Sequence, residues 1–157
     1  MLIKGILEED FVNYKKPSMF ISFPSCTWKC EKECGKKVCQ NGTLATTPNI
    51  NIGVKTIVNK YINNPITKSI VCGGLEPFDT FDDLLQLIAY LRVSTDDDIV
   101  IYTGYNQSEI TWKIAKLKKF KNIIVKFGRY KPNRPSRFDN LIGVYLASPN
   151  QYAKIIS

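Results

Sequence analysis

Residues 69–104 read SIVCGGLEPFDTFDDLLQLIAYLRVSTDDDIVIYTG, and the fold follows from this stretch. Ser69–Cys72 is a short apolar run that Gly73-Gly74 should stop. Thr80 stands where a helix N-cap is expected, with Asp82 and Asp83 in the first turn, where a carboxylate suits the helix dipole. Leu84, Leu85, Leu87, Ile88 and Leu91 then recur on one buried helical face. Ile99–Tyr102 is a second apolar run, ended by Thr103-Gly104. The runs are continuous rather than alternating, as in strands buried on both faces. Strand, helix, strand in that order implies a parallel pair with a right-handed crossover.

The same pattern extends outward on both sides. Met19–Phe23 is an apolar run before Pro24. Val54, Ile57, Val58, Tyr61 and Ile62 have helical spacing. Ser108 is placed to cap a helix carrying Ile110, Ile114 and Leu117. Asn122–Phe127 is a further strand, ended by Gly128, and Leu141–Leu146 is expected to be the last. A closed eightfold barrel takes about 250 residues, and the chain has 157. The expected fold is therefore α/β, a partial, open βα barrel with a mainly parallel sheet, formed by residues 1–157 as one domain. No repeat, low-complexity segment or linker divides it. Ligands of such sheets sit beyond the carboxyl ends of the strands. The segment 24–41, Gly73-Gly74, Thr103-Gly104 and Gly128 all follow strands, so they should meet on one rim.

Composition narrows the function. Hydrophobic residues make up 44% and charged residues 23%, which excludes a disordered chain. No apolar run approaches the roughly 20 residues of a membrane helix. The start, MLIKGILEED, sets acids close to its apolar residues and does not resemble a signal peptide, so a cytoplasmic location is expected. Net charge is +8, which suits an acidic protein partner or a phosphate-bearing ligand. The lysines are spread along the chain, so a dedicated nucleic-acid surface is not expected. Histidine is absent, which turns attention away from His-dependent zinc enzymes and Ser-His-Asp hydrolases. The distinctive resource is sulfur: of five cysteines, four fall between Cys26 and Cys39. In a reducing compartment such a cluster binds metal or does redox chemistry rather than forming disulfides.

The segment Ser25–Asn41 reads SCTWKCEKECGKKVCQN. A loop after a buried strand is able to wrap several thiolates around a compact metal group. Lys29, Lys32, Lys36 and Lys37 stand among the cysteines and are expected to favour the thiolate forms. Two metal groups compete. Zinc commonly uses Cys-x2-Cys turns, whereas the gaps here hold three, three and four residues. An iron–sulfur cluster is served by thiolates at varied spacing.

Cys26-x3-Cys30 after a strand, followed by Cys39-Gln40-Asn41, resembles the cluster loop of the radical S-adenosylmethionine (SAM) enzymes, and most closely that of the activating enzymes of anaerobic ribonucleotide reductase. Those loops read Cys-x3-Cys-x2-Cys with Asn shortly after the last Cys. Alignment on Asn41 makes Cys39 the third ligand after an insertion; alignment on spacing makes it Cys34. Both stay open, with Cys39 preferred. Cys72-Gly73-Gly74-Leu75-Glu76-Pro77 is similar to the family's Gly-Gly-Glu/Asp-Pro segment, with Leu75 extra. Tyr102-Thr103-Gly104-Tyr105 is similar to its aromatic-Thr-Gly-Tyr segment. Phe127-Gly128-Arg129-Tyr130 resembles its Asp-Gly-Lys/Arg-Phe segment with Phe127 in place of Asp. Ala147–Gln151 resembles its Gly-Ser-Ser-Asn-Gln end.

The resemblance implies a 4Fe–4S cluster on Cys26, Cys30 and Cys39 (or Cys34), with one iron left open for SAM. It implies that Gly73, Gly74 and Glu76 hold the SAM amino group and that Thr103 and Gly104 line its pocket. It also implies the activity: reductive cleavage of SAM to a 5′-deoxyadenosyl radical, which takes hydrogen from a glycine of the large subunit of anaerobic ribonucleotide reductase. The implied partners are that subunit and a low-potential electron donor such as flavodoxin or ferredoxin. The basic loop Arg129–Arg137 is a candidate docking surface. Two alternatives remain: a radical SAM enzyme acting on a small molecule, and a non-catalytic zinc adaptor.

Overall fold

The computed structural model describes residues 1–157. Its strands are β1 (Leu2–Ile3), β2 (Gly5–Asp10), β3 (Ser18–Phe23), β4 (Ile50–Asn51), β5 (Ser69–Gly74), β6 (Asp98–Tyr102), β7 (Ile123–Phe127), β8 (Arg137–Asp139), β9 (Val144–Leu146) and β10 (Tyr152–Ile155). The α-helices are α1 (Lys29–Cys34), α2 (Gly42–Thr46), α3 (Val54–Ile62), α4 (Phe81–Ser94) and α5 (Thr111–Leu117). A six-stranded sheet runs in the order β10-β7-β6-β5-β3-β2. Its four central strands are parallel, while β2 and β10 are antiparallel to their neighbours. The chain is thus mixed α/β with a mostly parallel sheet that does not close into a barrel.

The two faces of the sheet are covered differently. Ile70, Cys72, Ile99, Ile101, Ile123 and Val125 pack with α3, α4 and α5 into one core of 25 buried residues. In α4, Leu84, Leu87, Ile88 and Leu91 are fully buried, each contributing roughly 1.5–3 kcal/mol of transfer free energy. The other face carries Val71, Val100 and Ile124, capped by Tyr14, Ile142 and Leu146 in a core of six. Phe20, Tyr102 and Lys126 on this second face line the cavity described below.

Several local expectations change. Beyond Cys72, β5 continues through Gly73 and Gly74, which pair with Ser22 and Phe23. Thr80 ends a short 3-10 turn, Pro77–Thr80, and occupies the N-cap position of α4 as expected, but its hydroxyl is buried without a partner and makes no capping bond. Ser108 lies inside the turn Gln107–Glu109 rather than capping α5; there the Asn106 N–H donates to Glu109 Oε2 at 2.8 Å. The run Leu141–Leu146 is not a strand of the main sheet. Gly143 adopts φ +73°, Ile142 turns under the sheet, and only Val144–Leu146 is extended, paired with β8 in a separate hairpin. The edge position belongs instead to β10, and β2 occupies the opposite edge.

No helix is long and apolar enough to cross a membrane.

Candidate metal centre

The cysteine segment leaves the carboxyl end of β3 and is fastened at several points. Ser25 C=O accepts from Glu76 N–H at 2.9 Å, and Thr27 N–H donates to Asp79 Oδ2 at 2.6 Å. Trp28 takes the left-handed conformation, φ 57°, and turns the chain into α1. This region was expected to be an open loop; instead, a six-residue helix carries Cys30 and Cys34 and ends at Gly35, φ 68°. Cys39 N–H then donates to Glu31 Oε1 at 3.3 Å. The Asn41 side chain donates to Gly74 C=O at 2.6 Å, tying the end of the segment to the end of β5. Gly74 has φ +79°, and a Cβ there would lie 3.0 Å from both Leu44 Cδ2 and Ser22 Cα, so only glycine suits this contact.

Above the strand ends lies a cavity of about 440 Å³, within the 300–1,000 Å³ usual for small-molecule and cofactor sites. Cys26, Cys30 and Cys39 line it; Cys34 does not. Gly74, Glu76, Thr103, Gly104 and Gly128 line it too, so the strand ends expected to share a rim are brought together. A Cβ on Gly104 would lie 3.4 Å from Cys30 Sγ, so bare backbone passes beside that sulfur. Gly73 is not on the cavity wall. A Cβ there would meet the ring of Phe20, itself a lining residue, at 3.0 Å. The fifth cysteine, Cys72, is sealed in the core.

Two of the three sulfurs carry local donors. Cys26 Sγ accepts from Trp28 N–H at 3.2 Å and Cys39 Sγ from Asn41 N–H at 3.4 Å. Such bonds orient a ligand and stabilise its charge. The expectation that neighbouring lysines lower the thiol pKa values fails for two of them. Burial pushes the Cys26 thiol up to about 12, with Glu76 and Asp79 adding to the rise. Burial raises Cys30 as well. Lys29 is turned elsewhere, 3.2 Å from Glu109 and 4.3 Å from the centre of the Tyr105 ring. Cys26 and Cys30 therefore begin as thiols, and binding a metal group there displaces protons.

Glu76 is 5% exposed and bridges two strand ends. Its Oε1 accepts from Thr103 Oγ1 (2.8 Å) and Phe78 N–H (3.1 Å), and its Oε2 from Gly104 N–H (2.8 Å). Burial nevertheless pushes its pKa up to about 7. An oxygen of a carboxylate accepts two bonds, so Oε2 retains one acceptor position beside the cavity.

An ion-pair frame braces the cysteine helix. Arg129 Nη2 lies 2.5 Å from Glu109 Oε1, and its Nε lies 3.1 Å from Glu33 Oε2, outside hydrogen-bonding geometry. The Arg129 side chain is 12% exposed, so its pairing is better shielded than that of a surface pair. Arg129, Lys29 and the Asn106 N–H together hold the Glu109 carboxyl down at about 2. Arg129→Ala should loosen α1: amide hydrogen exchange of residues 26–34 should speed up by about tenfold, the equivalent of about 1.4 kcal/mol, with residues 84–91 unchanged. Within the loop Arg129–Arg137, Arg129 is part of this brace and Asn133–Arg137 is exposed.

Lys126, Glu109 and Asp79 shape the site without any signal of their own in the sequence. Lys126 sits in an apolar strand run, and the contacts of the two acids arise from tertiary structure. Helical Cys30 and Cys34, four residues apart, also look equivalent until the cavity separates them.

The fold and cavity define an α/β protein with three cysteine sulfurs gathered at the carboxyl end of a mostly parallel sheet. Residues 17–143 match the family described as 4Fe-4S single cluster domain, and the chain belongs to that family. No curated protein and no solved structure matches it. The residues present fit a 4Fe–4S group: three sulfurs, two with N–H donors, face one cavity large enough for a cofactor. As the side chains stand, no group of three or more His, Cys, Asp or Glu is drawn together closely enough to hold a metal ion.

Proposed function

We propose that this chain is a radical SAM enzyme that generates the glycyl radical on the large subunit of an anaerobic ribonucleotide reductase. One observation carries the proposal: the cavity faced by Cys26, Cys30 and Cys39 continues without a break onto Gly74, Glu76, Thr103 and Gly104. A metal group with three protein ligands keeps an open coordination position, and here such a position would face a pocket. When bound, the cluster would supply the electron that cleaves the SAM sulfonium. The protein would hold the cluster through Cys26, Cys30 and Cys39. Glu76 Oε2 would accept from the SAM ammonium at its remaining position. Gly104 would let the adenosyl part pass close to the backbone, and the half-enclosed cavity would limit water near the radical. No His is needed, because the cofactors carry the hard chemistry. Net charge +8 suits an acidic electron donor such as flavodoxin or ferredoxin.

The test is anaerobic incubation of the reconstituted protein with SAM and dithionite. Release of 5′-deoxyadenosine and methionine is expected, with a glycyl radical signal when the reductase subunit is added. An iron-loaded protein that releases no 5′-deoxyadenosine would remove the radical SAM proposal. Cleavage without a glycyl radical would favour a small-molecule substrate, for which the eight-residue interval between Cys30 and Cys39 is the supporting feature. Anaerobic isolation as a colourless zinc protein would favour the adaptor.

A further inference from the structure

Strand β7 is buried along its whole length, and its fourth residue is a lysine. Lys126 is 8% exposed and lines the same cavity as Cys26, Cys30 and Cys39. Its ammonium makes no hydrogen bond and no ion pair, and the centre of the Tyr102 ring lies 5.7 Å away. The Glu76 carboxyl and the Cys30 thiol line the same cavity and favour its charged form. Glu76 already accepts from Thr103, Gly104 and Phe78. Burial lowers the amine only to about 8, so it remains charged at neutral pH.

A buried, unpaired cation is costly, and breaking even with the cost requires a compensating negative charge. A 4Fe–4S core held by three thiolates is such a charge. It is net negative when oxidised and more negative after it accepts an electron. A fixed cation in the same low-dielectric cavity favours the more negative state.

We propose that Lys126 is the counter-charge of the reduced cluster and raises its reduction potential. It acts through its field as a positioning residue and takes no part in bond making. One electron passes from a low-potential donor, dithionite in the test, to the cluster; no bond forms or breaks, and Lys126 keeps its proton. This inference needs the cluster but not SAM, so it stands or falls separately from the proposed activity.

The experiment is a redox titration of reconstituted Lys126→Met, Lys126→Gln, Lys126→Arg and wild-type protein, followed by electron paramagnetic resonance without added SAM. In the two neutral variants, the ratio of reduced to oxidised cluster at a fixed potential should fall about tenfold, equal to about 59 mV for one electron. Lys126→Arg should restore it. An unchanged midpoint in a neutral variant with full iron content would overturn the proposal. If both neutral variants fail to load iron while Lys126→Arg loads, the counter-charge role is supported in a stronger form. Failure of all three to load would overturn it in favour of a packing role.

Discussion

Cys26→Ala, Cys30→Ala and Cys39→Ala are each expected to lose nearly all bound iron after anaerobic reconstitution, whereas Cys34→Ala should keep it. Three thiolates leave one of the four cluster irons open, and removing any one leaves two irons without a protein ligand. The structure gives a reason to choose among the four: Cys26, Cys30 and Cys39 line the cavity and Cys34 does not. Iron per chain and visible absorption provide the readout. Iron lost from Cys34→Ala and retained by Cys39→Ala would transfer the third ligand to Cys34.

Glu76→Ala is expected to destabilise the cluster-free protein by roughly 3 kcal/mol or more, because it leaves the Phe78 and Gly104 N–H groups and the Thr103 hydroxyl without their acceptor. A pH dependence accompanies this. The folded-state pKa of Glu76 is about 7, against an ordinary 4.5. Between these values the folded state holds a proton that the unfolded state has released, so stability falls as pH rises from about 4.5 to about 7. Below that window both states are protonated, and above it the loss is complete, on the order of 3 kcal/mol. Denaturant unfolding at intervals from pH 4.5 to 7.5 would measure it. Glu76→Gln, which cannot titrate, should flatten that part of the profile. A Glu76→Gln profile parallel to wild type would show that the carboxyl does not carry the effect.

The central strands were legible because each is a continuous apolar run: β3, β5, β6 and β7 all fall where the sequence placed them, and α3 and α4 follow their helical spacing. The edge strands were not. GILEED in β2 and YAKI in β10 join the sheet through backbone pairing, and most of their side chains face solvent, so no apolar pattern marks them. Leu141–Leu146 looked like a core strand because its apolar residues fill the smaller core, but Gly143 breaks the run. At the site, residue types were readable and their surroundings were not. Glu76 was expected to face a ligand ammonium; its bonds to Thr103 and Gly104 depend on the parallel pairing of β5 with β6. Counting nearby lysines suggested lowered thiol pKa values, whereas burial and the carboxylates of Glu76 and Asp79 raise that of Cys26. Lys126 was hidden by its apolar neighbours, and only the cavity shows that its side chain has a polar destination.

Mössbauer spectroscopy of protein reconstituted with ⁵⁷Fe, recorded with and without SAM, probes the coordination directly. One of the four irons should differ from the others and change its isomer shift when SAM is added. Four irons that remain equivalent and indifferent to SAM would mean that the protein caps every corner, which contradicts an open coordination position beside the cavity.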